Sequence, residues 1–289
     1  MRVLCVVLCG LMVVPAAAEG IYADRDDGML NVPRTSLPSA HLLGKQNVAV
    51  SYTFGAASHE GRDLQSDQFA VTGGVTDRIE VAFDYNDIDV NGRTAGNTFD
   101  VHATGWQVRY GQELFGEPGA VWLQYRASDG RVVTGGNTRI PPDATAVTLG
   151  AVRSQAWGDK NEVHAVASLT RSEVGGENAL TWMGGAGIDR ELSRGLTARG
   201  DLALFKETGE VDGFEAAISG GLHYETRSGF TADVMGTFLP SGTPLAGNSL
   251  ADGTVFILDP VFRNEPIVRD LQDDALGFFT VRVGYTTDF

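Results

Sequence analysis

The sequence predicts an all-β protein, a single-domain antiparallel transmembrane β-barrel of about twelve strands. Three observations lead there. From Asn47 onward the 289-residue chain is a succession of segments of roughly ten residues in which apolar and polar side chains alternate, the period of a strand with one greasy face. No apolar run after the leader approaches the roughly 20 residues that a spanning helix needs. The two ends of the chain, an export leader and an amphipathic final strand, fit a β protein that enters a membrane by strands.

The leader is residues 1–18. Met1-Arg2 supplies the positive start, Val3 to Val14 the apolar stretch, and Pro15-Ala16-Ala17-Ala18 a small-residue cleavage site, so the mature chain is expected to begin at Glu19. Both cysteines, Cys5 and Cys9, fall inside it, which leaves the mature chain without a disulfide or reactive thiol. A lipid anchor on Cys9 is the rival reading, disfavoured by Leu8 where a small residue is expected. At the other end, Phe289, Thr287, Tyr285, Val283, Val281, Phe279 and Gly277 share one face, while Asp288, Thr286, Gly284, Arg282, Thr280 and Phe278 share the other. This stretch resembles the C-terminal strand of Gram-negative outer-membrane β-barrels. The resemblance implies that Tyr285 and Phe289 are part of the signal read by the barrel-assembly machinery, and that the chain resides in the outer membrane.

Composition agrees. Hydrophobic residues make up 43% of the chain and glycine is abundant at 37 residues, a balance suited to alternating strands rather than apolar helices. The net charge of −15 argues against nucleic acid as a partner.

Residues 19–46 carry Asp24, Arg25, Asp26, Asp27 and two prolines with no sustained period, and are expected to form a periplasmic N-terminal arm. A plug folding back into the barrel is the less favoured option. Gly28 to Leu42 resembles the lead-in of some exopolysaccharide-linked and small channel-like barrels.

The barrel itself is assigned to residues 47–289. Its clearest apolar faces are Val48, Val50, Tyr52 and Phe54; Ile79, Val81, Phe83 and Tyr85; Val121, Leu123 and Tyr125; Leu180, Trp182, Ala186 and Ile188; Leu196, Ala198, Leu202 and Leu204. Two further faces, led by Phe214 and Phe230, precede the final strand. Less regular strands are expected near 68–74, 99–110, 144–156 and 162–171. In the 99–110 strand Trp106, Val108 and Tyr110 share one face but Phe99, Val101 and Ala103 the other, so a bulge or a misplaced boundary is expected there. Long and short connections alternate along the chain, as barrels with short periplasmic turns and longer outer loops require. A soluble sandwich can produce the same alternation. The leader, the terminal aromatic residue and the aromatic residues near strand ends favour the membrane barrel.

If the apolar faces meet lipid, the opposite faces line the lumen with Glu80, Asp84, Gln124, Arg126, Arg199, Asp201, Glu215, His223, Asp233 and Arg282, joined by Gln107 and Arg109. Charges of both signs there read either as a selectivity zone for solutes or as structural pairs that neutralise one another. Twelve strands lie between the filled eight-stranded barrel and the open sixteen-stranded one, which implies a narrow polar passage.

Other motifs carry weaker chemistry. Asp87, Asp89 and Asn91, followed by Gly92, match the first half of a calcium loop, so a Ca2+ ion at an outer loop is one reading and a hairpin turn at Asn91-Gly92 the other, favoured one. His223 with Ser219, and His164 with Ser168, are about 13 Å apart by strand rise alone, so a serine mechanism would need partners across strands. His41, His59 and His102 show no metal-ligand spacing. No catalytic residue and no cofactor is expected. Residues 239–274 form the longest connection, either a lid over the mouth or an apolar mini-core under a surface loop. The expected outcome is a passive channel for small hydrophilic solutes, in contact with outer-membrane lipid and lipopolysaccharide. The alternative is a non-conducting surface-exposed barrel with a structural or polysaccharide-export role.

Overall fold

A computed structural model describes residues 37–59, 62–91, 96–140, 143–174, 177–208, 215–239 and 276–288. The expected leader (1–18), residues 19–36, Phe289 and nearly all of the 239–274 connection lie outside the described residues. The strands are β1 (Asn47–His59), β2 (Arg62–Thr76), β3 (Ile79–Asn91), β4 (Thr98–Leu114), β5 (Glu117–Thr134), β6 (Asn137–Arg139) and β7 (Ala144–Ala156). They continue with β8 (Asn161–Val174), β9 (Glu177–Ser193), β10 (Leu196–Thr208), β11 (Glu215–Glu225), β12 (Phe230–Leu239) and β13 (Leu276–Asp288).

Twelve long strands form one antiparallel sheet that closes on itself, because β13 returns to β1 with Val50 opposite Tyr285 and Phe54 opposite Val281. Closure leaves no open edge whose backbone groups would face hydrocarbon unpaired. β6 is a short flap on the outer end of β5, within the connection from β5 to β7. The connections at the end where β1 begins and β13 finishes are short. Between β4 and β5, for instance, Phe115 and Gly116 both adopt positive φ, 57° and 80°, the geometry of a two-residue hairpin turn. The expected alternation with longer outer loops is corrected at β1–β2 and β8–β9, which are joined by only two residues at the far end.

The wall is inverted relative to a soluble protein. Val81, Phe83, Trp106, Val108, Leu123, Leu202, Leu204, Ile218, Val234 and Val283 are exposed on the outside, while Thr53, Gln68, Thr72, Asn86, Thr148 and Thr280 are buried within. Aromatic residues bound the apolar band, with Tyr110, Tyr224, Phe230 and Tyr285 toward the termini and Phe69, Tyr85, Trp106 and Tyr125 toward the far end. Trp106 and Tyr125 stack across neighbouring strands with ring centroids 5.9 Å apart.

Beyond that far belt the polarity reverses. On β2 to β5 the outward positions become Asp67, Asp87, Asp89, Asp100, His102 and Asp129, while Leu64, Ile88, Val90, Phe99, Val101 and Val132 turn inward and are buried. The bulge expected in β4 is therefore corrected: its register with β3 runs unbroken from Thr98 to Tyr110. What changes along the strand is the surroundings of each face, lipid around the outer wall giving way to water, and not the phase of the strand.

Candidate functional site

The described part of the arm does not hang free in the manner expected of a periplasmic tail. Residues 37–43 enter the barrel at the termini end and are held by its inner wall. The Leu43 amide donates to Glu80 Oε2 at 2.9 Å, the Ala40 amide to Ser154 Oγ at 2.8 Å, and Arg109 donates to the Ser39 carbonyl. His41 Nε2 lies 2.6 Å from Glu162 Oε1. Leu37 and Leu43 are buried, at 1% and 4% exposure, each burial stabilising the seated segment by about 1.5–3 kcal/mol. The wall makes room with glycine. A Cβ at Gly111 would sit 2.2 Å from Leu42 Cδ1, and one at Gly185 would sit 3.0 Å from Leu37 Cδ1.

Around this segment the lumen carries the predicted charges in pairs. Glu80 and Arg109 face each other from β3 and β4 at 3.1 Å, both 3% exposed. Asp84 on β3 is bonded to Arg126 on β5. On the opposite side Asp233 of β12 meets Arg199 Nη1 at 2.9 Å and His223 Nδ1 at 2.9 Å, and stands across from Arg282 of β13 in the strand register. Gln124 and Gln107 are cross-strand neighbours, and Asp201 is buried opposite Ser219. Glu215 begins β11 opposite Phe205, in the lumen-facing phase; its side chain lies outside the described residues. Each inward residue expected from alternation thus occupies an inward register position. Those with described side chains are buried or nearly so, and most are joined to an opposite charge.

Asp87, Asp89 and Asn91 fall instead on the outward side of β3, along a straight stretch of strand. Alternate strand residues stand about 6.6–7 Å apart. In the described residues all three lie on β3, and Asn91 pairs with Thr98 at its end. His102 Nδ1 sits 2.7 Å from Asp87. Tyr285 lies on the outward face of β13, while Phe289 is beyond the described residues.

One cluster was missed. Across β7, β8 and β9, Ser154 Oγ is 2.7 Å from His164 Nδ1, and His164 Nε2 is 3.4 Å from Asp189 Oδ2 and 3.8 Å from Glu162 Oε2. Spacing along a single strand could not reveal it, because its members meet by register. The signal available was polar residues recurring on the inward phase of two adjacent strands. Ser154, His164 and Asp189 have the order of a nucleophilic triad, but Ser154 is fully buried and already receives the Ala40 amide, so a substrate carbonyl has no approach in this arrangement.

Neither a family model nor a curated protein sequence matches the chain. Solved structures do. The translocator domain of the autotransporter NalP from Neisseria meningitidis aligns with a TM-score of 0.50 at 11% identity, over 85% of this chain and 89% of that one. The beta domain of the Bordetella autotransporter Brka aligns with a TM-score of 0.50 at 11% identity, over 83% and 99%. The KdgM porin gives 0.48 at 10%, over 82% and 98%. At this identity the likeness is one of fold: a closed, twelve-stranded antiparallel barrel of the outer-membrane type.

Proposed function

We propose that the chain is an outer-membrane channel for small hydrophilic solutes whose resting path is occupied by residues 37–43. The observation that carries this reading is the inner wall. Beside an inward apolar patch it carries buried ion pairs on β3 to β5 and on β10 to β12, whereas a barrel filled only for stability would gain more from apolar packing than from buried charge pairs. Opposed signs, Glu80 and Asp84 against Arg109 and Arg126, and Asp233 against Arg199 and Arg282, would set the solute charge that passes. The occupying segment is held by hydrogen bonds and the His41–Glu162 contact, which water can replace when it leaves, and by the burial of Leu37 and Leu43.

The same segment favours a second reading, a non-conducting barrel with a structural or polysaccharide-export role. Reconstitution in planar bilayers separates the two. Discrete ion-selective steps support the channel, and a correctly folded barrel that inserts without conducting supports the alternative. In either case cleavage after Ala18 and recognition of the β13 face by the assembly machinery would deliver the barrel. The outward carboxylates beyond the far aromatic belt would meet lipopolysaccharide through divalent cations.

A further inference from the structure

We infer that Glu162, His164 and Asp189 form a binding site for a divalent transition-metal ion, set in the barrel wall beneath residues 37–43. One ligand atom from each, a carboxylate oxygen or an imidazole nitrogen, lies within 4.8 Å of the other two. Metal bonds of about 2.0–2.2 Å in a tetrahedral site hold their donor atoms about 3.3–3.6 Å apart. His164 Nε2 already stands 3.4 Å from Asp189 Oδ2 and 3.8 Å from Glu162 Oε2, so small side-chain movements complete the geometry.

The scaffold is rigid. Glu162 and Asp189 are directly opposite in the β8–β9 ladder, and His164 is the next inward residue along β8. His164 is wholly buried, and its other ring nitrogen, Nδ1, lies 2.7 Å from Ser154 Oγ. A serine hydroxyl has two lone pairs, so Ser154 can accept both the Ala40 amide and an Nδ1 proton, the tautomer in which Nε2 can bind an ion held with the two carboxylates. Metal-bound histidines are commonly oriented this way, by a partner on the second nitrogen.

Two carboxylates and an imidazole suit a divalent ion, and Arg199 stands beside them, its Nε 3.7 Å from Asp189 and its Nη1 2.9 Å from Asp233. An imidazole ligand selects zinc and its neighbours over calcium or magnesium, which prefer oxygen. His41 bonds the remaining oxygen of Glu162, making it a positioning residue that links the ion to the lumen segment. The site does not depend on whether the barrel conducts.

The test uses the whole refolded barrel in detergent, stripped of metal and titrated with Zn2+ against a chromophoric chelator. The expected result is one Zn2+ per chain. Asp189→Asn and Glu162→Gln, which keep side-chain shape, should each weaken binding by at least tenfold, and His41→Ala by about 10–100-fold. Glu113→Gln, an exposed carboxylate on β4 with no part in the site, should leave it unchanged. Absence of stoichiometric Zn2+ binding, or affinity unaltered in both carboxylate variants, overturns the site. Should those variants fail to fold, X-ray absorption of the wild-type Zn2+ complex decides: one imidazole among oxygen ligands is expected, and oxygen ligands alone refute it.

Discussion

Asp84 reaches Arg126 by passing over Gly105, the residue that separates them in the sheet. Asp84 is opposite Gly105 in the β3–β4 register, Gly105 is opposite Arg126 in the β4–β5 register, and a Cβ on Gly105 would lie 2.4 Å from Asp84 Oδ1. The glycine is thus the space through which the ion pair forms. Gly105→Ala should destabilise the barrel by about 1–3 kcal/mol, read from urea unfolding in detergent. In an Asp84→Ala background the same substitution should have little effect, because the group it displaces is gone.

Phe99 is the largest side chain of the inward apolar patch beyond the far aromatic belt, and it is fully buried. Phe99→Ala should therefore cost about 3–5 kcal/mol by unfolding, the behaviour of a soluble core. A cost under about 1 kcal/mol would mean that Phe99 is not packed within the barrel.

Much of this architecture was legible because period-two alternation survives in nearly every strand. Val81, Phe83 and Tyr85 against Glu80 and Asp84 fix both the strand and its lumen side. The irregular reading of β4 arose because Phe99 and Val101 are inward where water surrounds the barrel, while Trp106 and Val108 are outward where lipid does; a single polarity rule cannot describe both halves. Residues 37–43 were unreadable for another reason. Their partners, Glu80, Arg109, Ser154 and Glu162, are far away in sequence, and an aperiodic segment held by side chains leaves no local pattern. The pairing of Ser154 with His164 and Asp189 is likewise a product of register.

Asp89 gives a pH test outside the membrane band. Burial, with Asp87 and Asp100 beside it, raises its carboxyl above the ordinary value of 3.8. The folded state therefore keeps this proton to higher pH than the unfolded chain, so stability falls as pH rises through the raised value and stays lower at neutrality. Asp89→Asn should raise the melting temperature slightly at pH 7, and the gain should vanish below about pH 4. A variant less stable at pH 7 would contradict the sign.

The seating of residues 37–43 can be followed with a single thiol, since a chain starting at Glu19 has no cysteine. Ser39→Cys should react slowly with a water-soluble maleimide. Adding Glu80→Gln or His41→Ala, which weakens a contact of the segment, should speed labelling by about tenfold, corresponding to roughly 1.4 kcal/mol. Equal rates in all backgrounds would place the segment outside the barrel.

The most direct test of a water-filled path compares two adjacent residues of β5. Gln124 is buried on the inner wall and Leu123 is exposed on the lipid-facing side. With Gln124→Cys and Leu123→Cys barrels in planar bilayers, a charged methanethiosulfonate reagent should step the single-channel conductance down in the first and leave the second unchanged. Conductance insensitive to the reagent in the Gln124→Cys barrel, or altered equally in both variants, would contradict a solute path through the lumen.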